Sequence, residues 1–367
     1  MIIRPPRSQH GIAVITVLLA LAIAVLISSE VIMRVYMGVK RTENQLSADQ
    51  AWQYALGGEA WARQQLEDDY KKDKQKIKVD HLYEEWAVPA QTLAIDGGFI
   101  EIEIYDMQSR FNLNNLVDKN GQIIAEQMEL FARLLSRLGV NTATADLAAR
   151  WASYPEDNGS LYGTEEWPYR AGDTQFGSVT ELRLLRDIDL GDYQKIAPYV
   201  SALPVADVPI NINTAPEPVL AGLVKADPGE RLRAFMQQRE QQENGIQSTD
   251  TFINQVVGNG AGVAKESLSV SSDYFEIRVR TEYNGRRAYL ISSVYRDPDT
   301  GEISLLGRDR SQRFVFLNSS VEGGQNSDDK EAEGKDDKAS AKHHKKAKAS
   351  RTEHGKNSED HKNHESK

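Results

Sequence analysis

From Gly11 to Ser29 the chain runs for nineteen residues without a charge, GIAVITVLLALAIAVLISS. At 1.5 Å per residue a helix of that length reaches roughly 28 Å, about the thickness of bilayer hydrocarbon. Glu30 and Arg34 end the run, and Arg4 and Arg7 precede it. The positive flank places the short leader in the cytoplasm and the rest of the chain outside. The helical pattern continues beyond the apolar run. Leu46, Trp52, Ala55, Leu56, Ala60 and Leu66 recur at helical intervals, with no proline between residues 35 and 70. The spacing predicts one continuous helix over 12–70, a rod of roughly 90 Å. Gly57-Gly58 either bends that rod or admits a close neighbour. Residues 71–78 read as a charged loop.

Further along, the pattern changes period. FIEIEI, residues 99–104, alternates as a strand after Gly97-Gly98. DMQSRFNLNNL, 106–116, reads as an extended segment entering a new domain. Residues 123–139 and 142–152 carry amphipathic helical spacing, with Gly139 as a stop. Residues 153–177 form one long loop rich in Gly, Pro, Tyr and acids, and Ser178 or Thr180 opens another helix. In 205–225 Thr214 is placed to cap a helix beginning Ala215-Pro216, and a second helix over 228–244 leads to Gly245. That pair resembles a helix-hairpin-helix or SAM-like unit. Three β-rich runs follow, 268–281, 287–296 and 303–317, the first two joined by an Asn284-Gly285 turn. From Ser319 large apolar residues almost vanish, so the tail 319–367 is expected to be disordered.

Composition narrows the function. The 367 residues are 40% hydrophobic and 27% charged, an ordinary globular balance long enough for two or three domains. The net charge is -10, which disfavours nucleic acid as a partner. The tail balances eleven acids against eleven bases and the N-terminal segment is positive, so the excess acid sits in 36–318. No cysteine is present, excluding disulfides, thiolate zinc sites and a cysteine nucleophile. Of seven histidines five lie in the last 25 residues, leaving His81 alone in the expected folded part and no basis for a histidine triad. Ser160 lacks a GxSxG setting, and no P-loop or GxGxxG occurs. Asp207, Glu217, Asp227 and Glu230 around the helix pair speak against phosphate binding. Trp52, Trp61, Trp86, Trp151 and Trp167 read as core or interface anchors. The loop carries Glu156, Asp157, Asn158, Glu165, Glu166 and Asp173. Hard oxygen ligands on a loop suit Ca²⁺; a solvated acidic loop is the plain alternative. The reading is of a protein that is not an enzyme.

The apolar segment alone leaves three options open: a cleaved secretory signal, a plain anchor, or a retained helix behind a short basic leader ending in Gly11. The third resembles the class III leader of type IV pilins and pseudopilins, in which a prepilin peptidase cuts after the glycine. Taken in order, HGIAVITVLLALAI, AWQYALGGEAWA, DMQSRFNLNNL, FGSVTELRLL and NINTAPEPVLAGL resemble the K-type minor pseudopilins of the type II secretion system (the GspK family), from about residue 8 to 317. Most pilin relatives carry Glu as the fifth mature residue; Thr16 stands here, as in the K-type family. A carboxylate inside the bilayer costs about 2.5–3.5 kcal/mol and is tolerated when it pairs with a neighbour's terminal amine. A subunit with no neighbour above it has no such amine to meet.

The resemblance implies an α+β fold: a type IV pilin-like unit, with a long N-terminal helix and an antiparallel sheet, interrupted by a large α-helical SAM-like or helix-hairpin-helix domain. The implied layout is leader 1–11, transmembrane half of the spine 12–34, its periplasmic half and first strand region 35–105, helical insert 106–265, β-meander 266–318 and disordered tail 319–367. It implies cleavage between Gly11 and Ile12 with methylation of the new amine, and calcium in the acidic loop, with Asp157, Glu165 and Asp173 the best matches. The family's W-I-D pattern reads Trp151-Ala152-Ser153 here. Thr16 and Trp52 are the implied partner-facing positions. The implied partners are I- and J-type minor pseudopilins in a tip complex, the major pseudopilin, the inner-membrane assembly platform and the prepilin peptidase, with no nucleic acid. The implied place is a single-pass inner-membrane protein with its C-terminal domain in the periplasm, capping and priming the filament that drives export of folded proteins. A stand-alone membrane-anchored periplasmic binding module is the rival.

Overall fold

The computed structural model describes residues 10–73, 78–153, 162, 169–258, 265–311, 314 and 316. Helix α1, His10–Asp73, is one unbroken rod of 64 residues. Its segment 13–46 is exposed throughout, and it holds the one helix stretch among the described residues long and apolar enough to cross a membrane. Burial begins at Ser47 and follows Ala51, Ala55, Ala62, Leu66 and Tyr70 up one face. Gly58 lies on that face. A Cβ there would fall 2.8 Å from Val279 Cγ1 and 3.1 Å from Ile100 Cγ2, whereas Gly57 has open space around it. The glycine pair therefore serves close packing, and the helix runs through it.

Strands β1 (Gln91–Ile95) and β2 (Gly98–Asp106) form a hairpin after the spine. The chain then leaves the sheet through β3 (Phe111–Asn112), α2 (Ala125–Arg137), α3 (Thr144–Ala152), α4 (Leu190–Ile196), β4 (Val200–Ser201), β5 (Ile210–Asn211), α5 (Glu217–Gly222), α6 (Gly229–Gln241), α7 (Thr249–Phe252) and β6 (Leu268–Ser269). It returns as β7 (Tyr274–Tyr283), β8 (Arg286–Arg296) and β9 (Ile303–Asp309). The sheet is antiparallel in the order β1-β2-β7-β8-β9. Ile100, Ile102 and Ile104 of β2, Phe275, Ile277 and Val279 of β7, and Leu290 and Val294 of β8 form one core with Ala55, Ala62 and Leu66 of α1. Period-two alternation sends these residues to one face. Asn284 and Gly285 take positive φ of 47° and 73°, the two-residue turn that the sequence predicts. The run 303–317 is a strand only to Asp309. Arg310 then lies over the Trp52 ring at 3.9 Å, and Phe316 is buried, 5.8 Å from the Arg280 guanidinium.

The insert leaves and rejoins on neighbouring strands, Asp106 of β2 facing Phe275 of β7. Its own core joins Phe111 and Phe131, stacked at 5.1 Å, to Leu134, Leu182, Leu220, Phe235 and Phe252. Two halves repeat one device. In the first, β3 pairs in parallel with β4; in the second, β5 pairs in parallel with β6. Asn112 accepts from the Asn114 amide, and Asn211 from the Asn213 amide. Asn114 then grips Phe176 from both sides, donating to its carbonyl at 3.0 Å and accepting from its N–H at 2.7 Å. Asn213 grips Ile246 with the same two bonds at 3.0 and 2.7 Å. Two residues on, Ser178 and Ser248 cap the next turns.

Several local expectations change. Ser178 opens a 3-10 turn, Val179–Leu184, with Glu181 completing a capping box. Thr214 caps nothing: its hydroxyl donates to Asp106, and α5 starts at Glu217 with Pro216 at the cap position. The second helix of that pair ends at Gln241, not 244.

Candidate functional site: the spine surface and the insert junction

The candidate partner surface is the free half of α1. Gly11 lies in its first turn. Thr16 is exposed, and its hydroxyl donates to the Ala13 carbonyl at 2.9 Å, so the helix itself satisfies it. Above the apolar run, Tyr36, Met37, Val39 and Leu46 stand exposed among polar residues. Trp52 is half-buried at the edge of the sheet core and covered on one ring face by Arg310, so it presents only part of its surface.

At the other end of the spine, the sequence brings together groups that no local pattern marks. Arg296, at the end of β8, has a side chain 5% exposed. It donates to Asp80 Oδ2 at 2.6 Å, to Asp69 of α1 at 3.2 Å and to the Ser272 carbonyl at 2.8 Å, and lies over the Phe275 ring. Beside it, buried Asp106 accepts from the Gln108 N–H at 2.7 Å, Ser272 Oγ at 2.6 Å, Asn211 Nδ2 at 3.1 Å and the Thr214 hydroxyl. Burial pushes the Asp106 carboxyl up to about 6, against the pull of the Ser272 and Thr214 hydroxyls. These bonds tie the spine, the sheet and both ends of the insert into one polar knot.

Glu84 completes it. Its carboxylate oxygen lies within 4.8 Å of those of Asp69 and Asp80, a separation that a metal ion could bridge. Burial first, then the charges of Asp69 and Asp80, push Glu84 up to about 9, so it holds a proton at neutral pH. It accepts from the Trp86 indole at 2.6 Å and the His81 N–H at 3.1 Å. Arg296 already supplies the positive charge there. No spacing or motif in the sequence marks Arg296 or its acidic partners as members of one knot.

Asp157 and Glu165 lie outside the described residues. Asp173 is half-buried, has a positive φ of 46°, and its carboxylate bonds to nothing among the described residues, which fits a hard-cation ligand.

Family profiles for type II secretion system (T2SS) protein K match residues 109–205 and 210–271, the two halves of the insert. The type II secretion system protein K of Pseudomonas aeruginosa is 36% identical over 320 residues, covering 83% of this chain and 94% of its own. That of Aeromonas hydrophila is 31% identical over 82% of this chain and 96% of its own. A solved chain from the GspK-GspI-GspJ complex of the enterotoxigenic Escherichia coli type 2 secretion system aligns with a TM-score of 0.63 and 26% identity, covering 74% of this chain and all of that one. The chain belongs to the type II secretion system protein K family.

Proposed function

We propose that this protein is the minor pseudopilin that caps and primes the tip of the periplasmic pseudopilus, single-pass in the inner membrane. The observation that carries the reading is the position of the insert. It joins the sheet beside Arg296 and Asp69, at the end of α1 remote from the apolar segment. A bulky domain there obstructs a further subunit above, while the exposed lower spine is free to pack against helices below. An isolated exposed helix gains little stability from propensity alone, so the stretch 36–46 calls for neighbours. The solved complex of a relative with GspI and GspJ supports I- and J-type subunits as those neighbours. The major pseudopilin and the assembly platform follow from the same reading. Thr16 in place of a carboxylate suits a subunit that meets no terminal amine above it.

The chemistry is done to this protein and not by it. A prepilin peptidase cuts between Gly11 and Ile12 and the new amine is methylated. The insert is read as a SAM-like or helix-hairpin-helix domain. Calcium held by the loop that contains Asp157, Glu165 and Asp173 orders that segment. Mass spectrometry of the mature protein tests the leader: Ile12 should be the terminus, and Gly11→Ala should strongly reduce processing. Unchanged processing would defeat the reading. Failure to co-purify with I- and J-type subunits would favour the stand-alone binding module.

A further inference from the structure

The face of the sheet turned away from α1 and the first half of the insert enclose a cleft of about 410 Å³. Arg110, on the segment that enters the insert, lines it. Its guanidinium makes no hydrogen bond and no ion pair among the described residues; its ring contact is with Tyr105, at 5.9 Å. The other arginines of the cleft are engaged. Arg278 is bound to Glu276 at 2.6 Å, and Arg308 to Glu59 at 2.7 Å. The acids whose field reaches Arg110 are committed as well: Glu276 to Arg278, and Asp106 to the junction knot. Burial holds Arg110 below the usual arginine value. A cation taken partly out of water without a partner is costly, and an anion entering the cleft would relieve that cost.

The lining says which anion. Arg278 is matched by Glu276, and the Arg308 guanidinium is held by Glu59 on the α1 side of the sheet, so Arg110 is the lining arginine left without an acid of its own among the described residues. One open guanidinium, in a lining that also carries the Asp309 carboxylate, matches a singly charged carboxylate and works against a phosphate dianion. Met107, Val179 and Ile291 supply apolar walls for the carbon stem of a side chain. The Ser293 hydroxyl, which bonds to nothing among the described residues, also faces this lining. A guanidinium binds a carboxylate through two parallel N–H donors. We propose that the cleft is a docking site for an acidic side chain presented by a peptide segment of a partner protein, with the Arg110 fork as its anchor.

The test uses the full-length protein in nanodiscs with ¹⁵N-labelled arginine. The probes are acetyl-Leu-Glu-Leu-amide, the same peptide with Gln, and inorganic phosphate. The Arg110 Nε–H signal, assigned from Arg110→Lys, is followed by NMR, and the Nε–H signal of Arg278 in the same lining reports binding in the Arg110→Gln variant. The Glu peptide should saturate the signal and bind at least tenfold tighter than the Gln peptide. Arg110→Gln should weaken it at least tenfold with an unchanged or raised melting temperature, since an unpaired charge is removed. Ser293→Ala should weaken it about threefold, the loss of one ordinary hydrogen bond. Equal binding of the two peptides, tighter binding of phosphate, undiminished binding by Arg110→Gln, or no saturation by any probe would overturn the proposal.

Discussion

Replacing Arg296 by methionine tests whether the junction knot holds the two parts of the fold together. Methionine keeps the stem over Phe275 but removes the donors to Asp80, Asp69 and the Ser272 carbonyl. Asp80, with a side chain 3% exposed, then keeps the Ser272 N–H as its remaining bond from that segment. Breaking a buried ion pair from one side costs about 3–5 kcal/mol. At roughly 2–4 °C per kcal/mol for a domain of this size, the melting temperature should fall by about 10 °C. The penalty arises from stranded charge, so Asp80→Asn combined with Arg296→Met should recover a large part of it. Urea unfolding followed in parallel by tryptophan fluorescence and far-UV circular dichroism reads both variants. A loss under about 1 kcal/mol in the single variant, or a double variant worse than the single, would refute the argument.

Glu84 gives the same region a pH dependence. Its folded value of about 9 lies above that of an unfolded glutamate, so the folded state holds a proton that the unfolded state has released. Its contribution is complete below the ordinary glutamate range and is lost as pH rises toward 9; Asp106 acts in the same direction up to about 6. Glu84→Gln should therefore flatten the fall in urea midpoint between pH 5 and 9, and an unaltered slope would remove Glu84 as its source. Gly57→Ala, in open space, should stabilise by up to about 1 kcal/mol through helix propensity. Gly58→Ala should instead destabilise by about 1–3 kcal/mol, because the new methyl collides with Val279; equal thermal shifts in the two would show that the spine does not approach the sheet that closely. Asp157→Ala, Glu165→Ala and Asp173→Ala together should lower the melting temperature only with Ca²⁺ present, and an identical shift in excess chelator would remove the calcium reading.

The spine was legible because sixty residues share one period without a proline, and the hairpin because Asn284-Gly285 sits between alternating strands. The junction was not, because Asp69, Asp80, Asp106 and Arg296 are scattered along the chain and each looks like an ordinary surface charge. The asparagines of NLNNL and NINTA stood out as motifs, but their task did not. An Asn that pairs with a distant backbone N–H and carbonyl leaves no trace in periodicity. Thr214 misled for the same reason: next to proline it has the look of a cap, and its hydroxyl is taken by a carboxylate about a hundred residues earlier. Glu101 of FIEIEI alternates as if facing water, yet it is fully buried against Arg280, whose guanidinium lies by the Phe316 ring.

The adjacency of β2 and β7 also bears on the order in which the chain acquires its shape. Zipping these strands directly would mean closing a loop of about 170 residues, an entropic cost of about 4–5 kcal/mol before the first ladder bond repays any of it. If the insert collapses first around its own phenylalanines, its two ends are delivered side by side and the sheet closes over a short gap. The insert then acts as a folding template for the pilin-like unit, and refolding of the sheet should be slower in variants that weaken the Asn114 and Asn213 clamps.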